Sequence, residues 1–366
     1  MPNRGRHHRR GSISLAFLIS LVVILGLIAL AIDSTWTTHS YGELQLSCDA
    51  AALAAAGELV DEHRLYPLAG EPATRDRLFA AAQTAQRVAA ANPVAGAPLE
   101  LELGTGRGNR DVTFGWLPTA TMPELEMQTG PRADAFNSVI VHGELSQERG
   151  TELRLWFARV LGLPAVNVSA KSRATVDNQV YGFRHSLNHC VPLVPVAIAA
   201  SADLPANFAD PFEVRIPAGR GSTGVSDARL NQYRGAWFIE TTTDEAIWRI
   251  VLDGLGAYEL ARWGGEIRLG TPVQPQPLLQ LDTLQQALLS IRGQKRIWPL
   301  AEHSPVRARI QGFTAARIVD CRFADDDLVI VLAPCTLTTP TALIDPRAPR
   351  SASIGKIVLN RLSDSR

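Results

Sequence analysis

Residues Ile13 to Ile32 form a 20-residue run with no charged side chain, and the polar pattern on its two sides is asymmetric. A helix rises about 1.5 Å per residue, so the run is about 30 Å long and matches the hydrocarbon thickness of a bilayer. Its clearly polar members, Ser14 and Ser20, can bond back to the helix's own carbonyls. Arg4, Arg6, Arg9 and Arg10 stand just before it, with no acidic residue among them. On the other side Asp33 follows at once, and the next arginine is Arg64. Positive flanks stay cytoplasmic. The expected layout is a basic cytoplasmic tail over 1–12 and a transmembrane helix over 13–32, with nearly everything else outside. Ile13, Leu21, Leu25 and Ile32 are then membrane-anchor residues, and the bilayer is a partner.

Two processing alternatives compete with an uncleaved anchor. Ala29-Leu30-Ala31 resembles a small-x-small signal-peptidase site, although the apolar run exceeds a usual signal core. Gly11 sits where a prepilin-type leader would be cut, but Ala16 occupies the fifth position after that cut, where type IV pilins usually carry glutamate.

Beyond Asp33 the period stays helical. Leu46, Ala50, Leu53, Gly57 and Val60 recur at steps of four and three and form a candidate helix-packing face, small enough for close approach. Glu43, Gln45, Asp49, Glu58 and Asp61 lie elsewhere on the surface. A packing face for a partner helix and a simple stalk resting on its own domain both fit. A second alanine-rich helix is expected from about 74 to 91, ended by Asn92-Pro93. Together these suggest an alanine-rich helical stalk over 33–92.

From Leu99 the period becomes two. Leu99, Leu101 and Leu103 alternate with Glu100 and Glu102, and strands are expected at 111–116, 138–142 and 166–180. Leu153 to Leu161 reads as a short apolar helix or strand. These make a β-rich or α+β unit over 98–185. A second α+β unit over 190–366 has strands expected at 191–199, 212–216, 236–241, 308–322, 328–333 and 354–362, and helices at 243–251 and 281–291. The irregular alternation argues for α+β over a doubly wound parallel sheet.

Composition narrows the function. The 366 residues carry 36 basic and 36 acidic side chains, so there is no global charge case for nucleic acid. Four scattered cysteines, Cys48, Cys190, Cys321 and Cys335, are too few for a disulfide scaffold. Cys321 and Cys335 are the best pair, because they flank an apparent hairpin with its tip at Asp325-Asp326-Asp327.

The anchor region has a family likeness. Arg9-Arg10-Gly11-Ser12, the apolar run ending Leu30-Ala31-Ile32-Asp33, and Leu44-Gln45-Leu46-Ser47-Cys48-Asp49-Ala50-Ala51-Ala52-Leu53-Ala54-Ala55-Ala56 resemble the N-terminus of TadG/TadE-like proteins of the tight-adherence (Flp) pilus-assembly group. The agreement covers about residues 9 to 57. Asn137 to Val141 and Leu155 to Thr175 look like the outer domain of some members, and the half from Cys190 resembles no family firmly. The resemblance implies a bacterial inner-membrane protein that assembles or anchors surface fibres through contacts with other envelope or pilus-assembly proteins, or with its own copies. Many members also carry a von Willebrand A-type domain, whose Asp-x-Ser-x-Ser metal loop is missing here.

No catalytic residue, metal or cofactor site emerges from the residues. His185-x-x-x-His189-Cys190 has helical spacing for a zinc pair, but lacks the intervening glutamate of a metalloprotease helix and runs into Pro192 and Pro195. Gly104 to Gly108 lacks the Lys-Ser/Thr ending of a phosphate loop. The Asp325–Asp327 triplet lacks the spaced ligands of a calcium loop. Trp116, Trp156, Trp237 and Trp248 read as core or interface anchors. The expectation is a non-enzymatic, single-span envelope protein. The alternative is a membrane-tethered hydrolase or a module that binds cell-wall polymer.

Overall fold

A computed structural model describes residues 10–60, 73–104, 111–122, 124–130, 136–200, 210–217, 232–240, 243–276, 280–302 and 308–362. The first elements are helices α1 (Arg10–Glu58) and α2 (Ala73–Ala91), then strands β1 (Val112–Gly115), β2 (Ser138–Leu145), β3 (Leu153–Arg154), β4 (Ala165–Val166), β5 (Val168–Asp177) and β6 (Val180–Arg184). Next come β7 (Val196–Ala200), β8 (Phe212–Ile216), β9 (Gln232–Trp237), α3 (Asp244–Asp253), α4 (Ala257–Leu260), β10 (Glu266–Arg268), β11 (Pro272–Val273) and α5 (Leu281–Ser290). The chain closes with β12 (Lys295–Glu302), β13 (Ala308–Ala324), β14 (Asp327–Pro334), β15 (Leu337–Thr338), β16 (Ala342–Ile344) and β17 (Ile354–Leu362). The described residues are thus a long apolar helix followed by a mixed region made largely of strands.

α1 runs for 49 residues, because no proline interrupts it and alanine-rich sequence carries it past the apolar run. Where the apolar run ends, Thr35, Thr37 and Thr38 turn their hydroxyls back to the carbonyls of Ala31, Asp33 and Ser34 at 2.8–2.9 Å. The stretch expected as a stalk is laid against the rest of the protein. Ala51, Ala52, Ala55 and Ala56 of α1, with Leu59 just past its end, share a buried cluster with Ala81, Ala82, Ala85 and Ala89 of α2, all with no exposed surface. Ser47 donates to the Ala89 carbonyl, and Thr84 donates to Glu58, so the two helices are antiparallel. Alanine on both sides allows close axes.

The other side of α1 covers a five-stranded sheet in the order β1-β2-β5-β17-β15. Gly143 on β2 makes this approach possible: a Cβ there would lie 2.6 Å from Cys48 Sγ and 2.9 Å from Leu44 Cδ1. The last strand, from the segment expected in the second unit, returns to this sheet. β17 pairs antiparallel with β5 over Leu362↔Lys171 to Lys356↔Asp177.

A second cluster of buried apolar side chains fills the rest of the structure. Its main sheet closes on itself in the circuit β13-β12-β7-β9-β8-β14, because β13 pairs with β12 on one edge and β14 on the other. Trp237, Trp298 and Phe212 are among its largest buried side chains. Gly235 lets the strands of this core pack closely, since a Cβ there would meet Val214 Cγ1 at 2.5 Å. The expected helices at 243–251 and 281–291 are α3 and α5, and β8, β13, β14 and β17 match their expected positions to within a few residues.

The Leu99–Leu103 alternation is a genuine difference. Leu99 and Leu101 are buried, but the segment belongs to no ladder. Side chains take over the ladder's hydrogen bonds: Gln86 Nε2 donates to the Leu101 carbonyl at 3.0 Å, and the Glu102 N–H donates to Asp111 Oδ2 at 2.7 Å. Cys321 sits opposite Ile330, Cys335 lies beyond the end of β14, and no disulfide joins them. The hairpin tip is a two-residue turn with Asp325 and Asp326 both at positive φ, the geometry of a primed turn.

Candidate functional site

Among the described residues one helix is long and apolar enough to cross a membrane. Its apolar portion is bare on all sides. Leu21, Leu25 and Ile32 are 40, 56 and 44 % exposed, and Phe17, Leu27 and Leu30 are at least as open as Leu25. Apolar exposure around the full circumference is the pattern of a lipid-facing helix, whereas a surface helix shows one apolar stripe. Arg10 begins α1, Ile13 lies in its first turns, and Arg4, Arg6 and Arg9 lie outside the described residues.

The first charge after the run is also the first contact α1 makes with the outer region. Asp33 is only 3 % exposed. Its carboxylate accepts from three successive backbone N–H groups of a single turn of 3-10 helix and its approach: Trp156 at 2.8 Å, Phe157 at 3.0 Å and Ala158 at 2.6 Å. An acidic side chain receiving unpaired N–H groups at a helical N-terminus satisfies donors that would otherwise be buried without partners.

Twelve residues on, a second polar cluster fixes α1 to the sheet. Gln45 Nε2 donates to Asp49 Oδ1 at 2.9 Å and to Ser172 Oγ on β5 at 2.7 Å. The Ser172 hydroxyl donates to the same Asp49 oxygen at 2.5 Å, and Arg361 of β17 donates to Asp49 Oδ2 at 3.0 Å. The Gln-x-x-x-Asp spacing puts both side chains on one helical face, here the face toward the sheet. The helical pattern predicts Gln45 and Asp49 on the surface, but both are buried, because their partner Ser172, like the Trp156 that meets Asp33, lies more than 120 positions away and leaves no local signal.

The candidate packing face lies on another side of α1. Leu46 is 62 % and Leu53 38 % exposed, Ala50 and Val60 are half-buried, and no atom stands within 4 Å of where a Gly57 Cβ would be. The contact with α2 uses the adjacent alanine stripe instead.

Between Trp36, the 94–102 segment and residues 144–159 lies an open groove of about 880 Å³. Arg149, which lines it, is already held by the buried Asp111 through two hydrogen bonds of 2.7 and 2.8 Å, which keeps its guanidinium above the ordinary value. His185 and His189 flank a tight turn closed by Ser186 and His189, so they are not on a helix. Among the described residues no group of three or more His, Cys, Asp or Glu side chains converges as a metal site. Of the tryptophans, Trp237 is core, Trp116 stacks against Arg350 at 5.5 Å, and Trp156 is 63 % exposed. Most of the glycine-rich turn, residues 105–110, lies outside the described residues.

Residues 11–58 match the family described as putative Flp pilus-assembly TadE/G-like. The match covers α1 from the start of its apolar run to its end, and includes Asp33, Gln45 and Asp49. No curated protein and no solved structure matches the chain.

Proposed function

From the TadE/G-like match over residues 11–58, we propose that this chain is a single-span protein of the bacterial inner membrane, with its N-terminus inside. It holds the outer domains at the membrane surface and assembles or anchors Flp/Tad-type pili through protein–protein contacts, without catalysis. One observation carries the reading: the helix that is bare over its apolar run is the same unbroken helix whose continuation forms a layer of the outer fold. Asp33 and the Gln45–Asp49 cluster lock that continuation in place. A rigid splice of this kind gives the outer surface a fixed height and tilt above the bilayer, which suits a docking platform.

The partner-facing surface in this reading is the open stripe of Leu46, Leu53 and Gly57. A photo-crosslinking residue at Leu46 or Leu53 in the native cell should capture another envelope protein or a second copy of the chain. Carbonate extraction should leave the full-length chain in the membrane. Release into the soluble fraction, or no specific crosslink from either position, would overturn the reading.

A further inference from the structure

The segment Leu153–Val166 projects as a finger. β3 and β4 pair at its base, Leu153↔Val166 and Arg154↔Ala165. Beyond them Trp156, Phe157, Val160, Leu161 and Leu163 are 63, 44, 82, 80 and 62 % exposed. Five neighbouring large apolar side chains in water are costly, and isolated exposure does not explain them. Several of the finger's backbone N–H groups are paired: Leu155 donates to Pro164, Val160 to Phe157, Gly162 to Arg159 and Leu163 to Ala158, while Trp156, Phe157 and Ala158 donate to Asp33. Paired N–H groups and apolar side chains favour a medium poorer in water.

Its position identifies that medium. The contacts of α1 come in order along the helix: Asp33 with the finger, Glu43 with the Ala95 N–H, Gln45 with the sheet, Ser47 with α2. Among the described residues the finger is therefore the outer element tied to α1 closest to the apolar run, one residue after Ile32. Within 153–166 the charged side chains are Arg154 and Arg159, both exposed, with no acid. Arginines beside a Trp and an aliphatic tip complement anionic headgroups over an acyl interior.

We propose that this finger is a second membrane contact: Trp156, Phe157, Val160, Leu161 and Leu163 enter the outer leaflet beside α1, while Arg154 and Arg159 meet lipid phosphates. The inference rests on the reading that α1 spans the bilayer. The Asp33 carboxylate, bonded to the finger's backbone, is the joint between the two contacts. Insertion at two points would stop the outer domain from swivelling about a single helix.

The test uses the full-length protein with Cys190→Ser, which removes the exposed native thiol, reconstituted in phosphatidylcholine–phosphatidylglycerol vesicles. Single cysteines replacing Leu161, Leu25 or Leu46 carry an environment-sensitive dye, and lipids spin-labelled on the acyl chain act as quencher. The expected result is a blue shift and quenching at Leu161 and Leu25, with neither at Leu46. Quenching at Leu25 with a water-like, unquenched dye at Leu161 would overturn the finger proposal and leave the span intact. A blue shift at Leu161 without lipid quenching would overturn it in favour of a protein partner. No quenching at Leu25, or quenching at Leu46, would instead overturn the spanning reading itself.

Discussion

Arg361 on the final strand and Asp49 in α1 are 312 positions apart and form an ion pair, with Arg361 Nη2 2.9 Å from Asp49 Oδ2. The two ends of the pair differ in setting: the arginine side chain is 62 % exposed and the aspartate only 8 %. Asp49 also accepts from Gln45 and Ser172, both buried. The carboxylate is therefore the hub of the cluster, and the arginine is its solvent-screened edge.

That asymmetry ranks two substitutions. Asp49→Ala leaves buried donors on Gln45 and Ser172 without their acceptor, and is expected to destabilise the fold by about 2–3 kcal/mol. Arg361→Ala removes an exposed ion pair and should cost about 1 kcal/mol or less. Thermal or denaturant unfolding of the detergent-solubilised protein measures both. Equal losses, or a larger loss for Arg361→Ala, would contradict the assignment of Asp49 as the hub.

Asp33 makes a more local prediction. Its bonds are to main-chain N–H groups of the finger, so Asp33→Ala should expose the amides of Phe157 and Ala158 to exchange without loosening the sheet. Hydrogen exchange of full-length protein in detergent should show faster exchange at 156–158, with Val139 and Val141 in β2 unchanged. Loss of protection in both regions together would mean that Asp33 supports the whole fold.

Close approach of α1 to β2 depends on Gly143. A methyl there meets Cys48 Sγ and Leu44 Cδ1 well inside contact distance, so Gly143→Ala should cost about 1–3 kcal/mol. Cys48→Ala removes the nearer of the two atoms and should recover part of that loss in the double variant, a coupling that adds up only if the two sites touch. Gly312→Ala is the control, because its added methyl would sit 3.5 Å from Leu300 Cδ1, an ordinary contact. Strictly additive losses at 143 and 48 would argue against the packing described.

These positions also mark what could be read from the chain. The apolar run, the α2 stop at Asn92-Pro93, and strands such as β17 are visible because their cause is local: period, propensity and turn residues. On α1 the packing stripe is harder to place, since Ala51, Ala52, Ala55 and Ala56, which are buried, lie beside the stripe of Leu46, Leu53 and Gly57, which stays open. Leu99 to Leu103 misled for a different reason. Alternating burial needs only an extended chain over a core, and a ladder needs a partner that side chains of Gln86 and Asp111 replaced here. The roles of Asp33 and Asp49 depend on loops and strands folded back from more than 120 residues away. The finger was legible only as an apolar stretch between 153 and 161, with nothing local to say that its side chains face outward.

One pH effect follows from the outer core. Glu259 has a side chain only 2 % exposed, lies 2.5 Å from Arg249 Nη2, and accepts the Gly256 N–H at 2.9 Å, which caps α4. Burial pushes its carboxyl up, but Arg249 and the backbone N–H groups outweigh this and hold it below the ordinary value of 4.5. A carboxyl held low in the folded state adds stability at neutral pH. That contribution begins to fall as pH drops past the unfolded value, and is gone once pH passes below the folded one. The wild-type Tm should therefore fall on acidification below pH 4.5, and Glu259→Gln should start lower at pH 7 and lose less over the same interval. Parallel acid limbs for the two proteins would show that the Arg249–Glu259 pair does not set this part of the pH profile.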